Sequence, residues 1–91
     1  MVIDLHLTDN IINSSHYEPK YSLQIQMDYF EKELDKSLVI GYHEIHVIHG
    51  IGEGILKKAV HEYLKTHPHV QSFVNEYHPL YGFGSTKVIF K

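Results

Sequence analysis

The sequence contains no cysteine and no arginine, and no apolar stretch approaches the length of a membrane span. Without cysteine there is no disulfide, no thiolate nucleophile and no cysteine-ligated zinc, a pattern that fits a reducing compartment. Without arginine, all eight basic residues are lysines, and they face eleven acids for a net charge of −3. That balance argues against a nucleic-acid binder working by bulk electrostatics alone. A spanning helix needs about 20 apolar residues in a row, so no membrane partner is expected. Met1-Val2-Ile3 leads straight into Asp4 with no basic region or long apolar core, so no secretory signal is read here. Low-complexity segments are absent as well.

What is present is enough for one small domain with one core, spanning residues 1–91. The charge is unevenly spread. Residues 1–45 carry three lysines and eight acids (−5), and residues 46–91 carry five lysines and three acids (+2). A polyanion should therefore meet the second half. Nine histidines in 91 residues place many groups that titrate near neutral pH.

The hydrophobic pattern gives an order of elements. Val2 to Leu7 alternates after Ile3, which suits a strand on which Asp4 and His6 project from one face. Residues 8–21 show no period and read as a long loop, with Ser22 as the N-cap of the next helix. Leu23, Met27, Phe30, Leu34 and Leu38 step by four, three, four and four, drawing the buried stripe of that helix, and Gly41 stops it. Glu44 to Ile48 is a β-branched second strand. His43, His46 and His49 on it cannot share a metal, because odd offsets alternate faces and the outer two lie roughly 20 Å apart. A second helix is expected from about Gly54 to Thr66, ended by His67-Pro68. A third strand follows from Val70 to Tyr77, then a turn-rich loop over 78–85 and a fourth strand from Thr86 to Lys91. The order β-α-β-α-β-β predicts a two-layer α/β sandwich, a mixed four-stranded sheet with both helices on one face. The βαβ units imply parallel pairing with right-handed crossovers.

The chemistry gathers around His49-Gly50-Ile51-Gly52-Glu53-Gly54, between the second strand and the second helix. Glycines let the backbone approach a ligand, and the helix that follows offers free N–H groups and the positive end of its dipole. A phosphate-binding lysine loop is excluded, since Gly54 is followed by Ile55-Leu56 rather than Lys and Ser or Thr. A dinucleotide fingerprint needs glycine spacings of two and three, and here they are two and two. Ligands of parallel α/β sheets collect outside the carboxyl ends of the strands, where Asp4, His6, His49 and the glycines would meet if strands one and two are neighbours. Two imidazoles, a carboxylate and a backbone cradle suit a phosphodiester: one histidine activates water, the other protonates the leaving oxygen, and amides hold the phosphate.

Asp4-Leu5-His6, His49-Gly50-Ile51-Gly52-Glu53-Gly54 and Gly82-Phe83-Gly84-Ser85-Thr86 resemble the three signatures of the Smr (small MutS-related) domain. In that family they read D-L-H-G, H-G-x-G-x-G and a glycine-rich loop ending in threonine. Leu7 stands where the family usually has glycine, and lysines stand where arginine is common early in the second helix. The resemblance implies a fold like the C-terminal domain of translation initiation factor three. It also implies binding to DNA or RNA, with DNA-nicking or RNA endonuclease activity in several members and a divalent metal, Mg²⁺ or Mn²⁺, in some. By match, Asp4, His6 and His49 carry over as catalytic residues. Gly50, Gly52, Gly54, Lys57, Lys58, Gly82, Gly84 and Thr86 are expected to bind phosphate or nucleic acid. The expected setting is cytoplasmic, with further covalently linked domains, as in a branch where Smr ends a longer bacterial protein. The alternative is a module that holds nucleic acid or protein without cutting.

Overall fold

In the computed structural model, which describes residues 1–5, 19–51, 54–80 and 82–91, six elements follow one another. They are β1 (Val2–Asp4), α1 (Pro19–Ile40), β2 (Glu44–Ile48), α2 (Ile55–Lys65), β3 (Val70–His78) and β4 (Gly82–Phe90). The order is the expected one. Helix α1 begins at Pro19, three residues before the expected cap at Ser22, because proline fixes φ at a helical value and its missing N–H is no loss in a first turn. Its end is where the sequence puts it. Gly41 takes a left-handed φ of 99°, and the Ser37 carbonyl accepts the N–H groups of Gly41 and Tyr42 at 3.1 Å each.

The stripe on α1 does what its spacing implies. Phe30 and Leu34 are fully buried, with Met27 and Leu38 packed at the margin of the same cluster. Helix α2 adds Val60 and Leu64, and the sheet adds Ile3, Ile45, Val47, Val70, Val88 and Phe90. Both helices lie on one face of the sheet, joined by an edge-on contact of the Phe30 and Tyr63 rings at 5.5 Å. The opposite face is polar at its centre. There His46 lies 3.3 Å from Glu44 and 3.4 Å from Glu76, and Lys87 lies 3.8 Å from Glu76. His46 thus takes part in a surface network, and His43 is exposed.

The strand order is β1-β2-β4-β3. β1 and β2 pair in parallel, with Asp4 opposite Ile48, so they are neighbours as the site argument required. The second βαβ unit departs from simple adjacency. β4 is antiparallel to both β2 and β3 and lies between them, so β2 and β3 run in the same direction without touching. β4 also starts at Gly82, not at Thr86, so Gly82, Gly84 and Ser85 belong to a strand instead of a loop. Glycine and serine are poor strand formers, and here pairing on both sides overrides propensity: Ser85 lies opposite Ile48 on one side and Glu76 on the other. The chain reverses between His78 and Gly82, where Gly82 has φ 57° and His78 Nδ1 accepts the Leu80 N–H at 3.0 Å. Register shifts interrupt β3 between Val70 and Ser72 and again between Glu76 and His78.

This packing predicts a sharp contrast along one helix. Phe30→Ala should destabilise the domain by about 3–5 kcal/mol, the usual loss for a fully buried phenylalanine. Val39→Ala, at a position 87% exposed, should stay within about 0.5 kcal/mol of the parent. Urea denaturation followed by circular dichroism measures both.

Candidate active site

The site grows from the end of β2. Val47 faces the helices and Ile48 the other side, so alternation turns the next residue, His49, back toward the helices. Its backbone is fixed by β4, because the Gly84 carbonyl accepts both the His49 N–H (2.9 Å) and the Gly50 N–H (3.0 Å). Gly50 then has φ 80°, a left-handed conformation that any side chain would strain. Gly54 has φ 81° and caps α2 without a side chain, and its carbonyl accepts the Lys58 N–H at 2.9 Å. Among the described residues, no side chain caps the first N–H groups of α2.

The His49 ring is held from three sides. It is only 7% exposed. Its Nδ1 lies 2.9 Å from the Gly50 carbonyl oxygen and its Nε2 lies 2.8 Å from Thr86 Oγ1. The same hydroxyl, itself fully buried, lies 2.8 Å from Nε2 of His61 on α2. The two imidazoles meet edge to face at 6.0 Å, and Phe73 of β3 backs His61 at 4.9 Å. Burial first, and then the charges of His49, Lys57 and Lys65, hold the His61 pKa below its ordinary value.

The residues named from the sequence fall into three groups. His49, Gly50, Gly84 and Thr86 come together directly. Asp4 ends β1 at the carboxyl edge where both strands stop, but it is in register with Ile48 and lies between the core residues Ile3 and Leu5, so alternation sets it on the face opposite His49 instead of beside it as expected. Lys57 and Lys58 lie in the first turn of α2, one half-buried and one exposed, and Gly82 opens β4. A Cβ on Gly82 would stand 3.5 Å from the Ile51 side chain, so the start of β4 touches the glycine turn. His6, Gly52 and most of the 8–21 segment lie outside the described residues. In the free protein, Gly84 and Thr86 are committed to holding His49: one carbonyl and one hydroxyl fix its backbone and its ring.

His61 was not singled out from the sequence. Its signal is faint: it lies four residues from both Lys57 and Lys65, on the flank of the Val60–Leu64 stripe, which reads as an ordinary solvated position. Only the packing of α2 over β4 brings it to Thr86. Among the described residues no three His, Asp or Glu side chains gather to hold a metal ion, so no step is built on one. No helix among them is long and apolar enough to cross a membrane.

The parallel pair β1–β2 thus ends in a histidine and a glycine turn, with the threonine-bearing β4 beside it. The Smr domain model matches residues 22–91, and the chain belongs to the Smr domain family. The fold is also that of the crystallised Smr domain of Thermus thermophilus MutS2, with a TM-score of 0.68 and 26% identity, covering 76% of this chain and 86% of that one. Among curated relatives, Endonuclease MutS2 of Brevibacillus brevis is 42% identical over 53 residues, which is 58% of this chain and 7% of the relative. Endonuclease MutS2 of Halalkalibacterium halodurans is 52% identical over 42 residues, 46% of this chain and 5% of the relative. The matched region is thus a small part of much longer proteins.

The lowered pKa of His61 has a consequence for stability. A ring whose pKa is depressed on folding protonates first in the unfolded chain, so the unfolded state gains protons as pH falls below about 6.5. Stability should therefore decline from pH 7.5 to 5.5. His67, lowered by burial and by His69 against an opposing pull from Asp35, acts in the same direction. Urea midpoints at the two pH values should fall less in His61→Gln than in the parent. An equal fall would show that His61 titrates alike in both states.

Proposed function

We propose that the chain binds a nucleic-acid strand by its phosphate backbone at the carboxyl edge of β1 and β2, and that it hydrolyses a phosphodiester there. The observation that carries this reading is His49, an imidazole locked beside a glycine turn that leads into the uncapped start of a helix. A phosphate fits that place, since unpaired N–H groups and the helix dipole both favour an anion. His49 is the proton-handling residue. In this reading Asp4, at the same carboxyl edge but on the face of Ile48, and His6, matched from the family signature, are assigned the carboxylate and the second imidazole, one ring activating water and the other protonating the leaving oxygen. Lys57 and Lys58 lie close enough in sequence to the turn to pair with neighbouring phosphates. The relatives' name, Endonuclease MutS2, is compatible with this chemistry.

One observation favours a second reading, in which the domain holds nucleic acid without cutting. Both ring nitrogens of His49 are already engaged by protein groups, and a free nitrogen is the simplest requirement for a general base.

Nicking of supercoiled plasmid and cleavage of single-stranded RNA, each with Mg²⁺, Mn²⁺ or EDTA, separate the two. His49→Ala should lower cleavage by about 10²–10⁴-fold, the range for a lost acid or base, while binding survives. A variant that cuts as the parent does overturns the catalytic reading.

Salt dependence tests the cradle independently of cutting. With two lysines on phosphates, log K against log salt on duplex DNA should have a slope of roughly −2, at about −0.9 per neutralised phosphate. Lys57→Gln and Lys58→Gln should each reduce the slope by about one. A slope several-fold steeper would place the contact elsewhere.

A further inference from the structure

A hydroxyl has one proton, and the hydroxyl of Thr86 stands 2.8 Å from two imidazole nitrogens. It must donate to one and accept from the other. The direction is set at the far end of the chain. Nδ1 of His49 faces the Gly50 carbonyl oxygen at 2.9 Å, and a carbonyl only accepts, so Nδ1 carries the hydrogen. In neutral His49, Nε2 is then bare and takes the Thr86 proton. Thr86 Oγ1 in turn accepts Nε2–H of His61. Every donor points the same way, from His61 through Thr86 and His49 to the glycine turn. His49 is almost wholly buried, whereas His61 is half-exposed and its Nδ1 has no partner among the described residues.

We propose that this chain is a proton relay in which His61 is the port to solvent and His49 the delivering ring. The inference rests on the reading of His49 as a proton-handling residue. A proton taken up at His61 Nδ1 releases the Nε2 proton of that ring to Thr86 Oγ1. The hydroxyl passes its own proton to His49 Nε2, and His49 gives its Nδ1 proton to the leaving oxygen of a phosphodiester held in the cradle, which takes the place of the Gly50 carbonyl at that nitrogen. One proton enters and one leaves, and each ring ends neutral in its other tautomer. The engagement of both His49 nitrogens, which taken alone speaks against catalysis, becomes the working condition of the relay. His61 touches no substrate in this scheme and is a positioning residue. The groups facing it are His49, Lys57 and Lys65, with the Phe73 ring behind; burial first, and then these charges, disfavour a proton resident on the ring.

Two-bond ¹H–¹⁵N correlation spectra of the histidine rings in the 91-residue chain, recorded above the titration range, decide the donor order. The expected result is His49 as the Nδ1–H tautomer and His61 as the Nε2–H tautomer. His49 found as Nε2–H overturns the proposal, whatever any variant does. Thr86→Val removes the hydroxyl and keeps the β-branched shape, so His61 should relax toward mixed tautomers while His49 stays Nδ1–H on the Gly50 carbonyl. Thr86→Ser keeps the hydroxyl and should keep the parent pattern, which also guards against a valine variant that fails to fold. A His61 tautomer unmoved by loss of the hydroxyl would overturn the relay. Where strand cleavage is measured, His61→Gln should lower kcat and not KM and should shift the pH profile. A loss equal at every pH would mark a packing role and overturn the relay. A chain that shows the stated tautomers but cuts nothing keeps the wiring and loses the cleavage reading, so the two failures are distinct.

Discussion

Strand β2 has two edges of backbone donors and acceptors to satisfy, and the identity of its second partner decides the rest. One edge is taken by β1, which can pair over only three residues. The other is taken by β4, which runs the full length of β2 and continues past it. Because β4 is antiparallel, the residues beside the carboxyl end of β2 come from the beginning of β4, where Gly84, Ser85 and Thr86 lie. A parallel neighbour would have offered its own carboxyl end there instead. The glycine carbonyl that fixes His49 and the hydroxyl that binds its ring both follow from that one pairing.

Period and punctuation made much of this legible beforehand. The α1 stripe could be read because a helix that buries one face must repeat its apolar residues at three and four, and Gly41 could be read because a left-handed stop suits a residue without Cβ. The parallel pair β1–β2 and the placing of both helices on one face followed from the βαβ order. The differences arise from strand pairing and long-range packing, which no short window of sequence encodes. Gly82, Gly84 and Ser85 look like turn residues, and their strand geometry is imposed by partners on both sides. The insertion of β4 between β2 and β3 leaves no trace in the order of elements, which is the same for adjacent strands. In the third signature, the Thr86 hydroxyl lies 2.8 Å from two rings, a pairing that no spacing in the sequence marks. His61 escaped notice because its partner is 25 residues away in sequence.

The histidine-rich composition also divides once it is folded. His46 sits among carboxylates on the polar face of the sheet, where solvent and neighbours share the charge. His49 and His61 sit between sheet and helix, where they share the buried Thr86 hydroxyl and burial lowers the pKa of His61. One residue type thus serves as surface charge in the first setting and as an oriented hydrogen-bonding group in the second. What separates them is a single step of strand alternation along β2, even positions to one face and odd positions to the other.

The two interruptions in β3 matter for a property that concerns many molecules at once. β3 is the outer strand on its side, nine residues long, and it carries an exposed valine at position 74. A long, flat outer strand is a template on which a second chain can add, extending the sheet from molecule to molecule. Bulges break such a template, because they disturb the even spacing of the outward backbone groups and increase the local twist. With one near each end of β3, the regular stretch left between Ser72 and Glu76 is short. At the opposite border, β1 offers a stretch shorter still. Among the described residues, neither outer strand thus presents a long regular edge on which a second chain could pair.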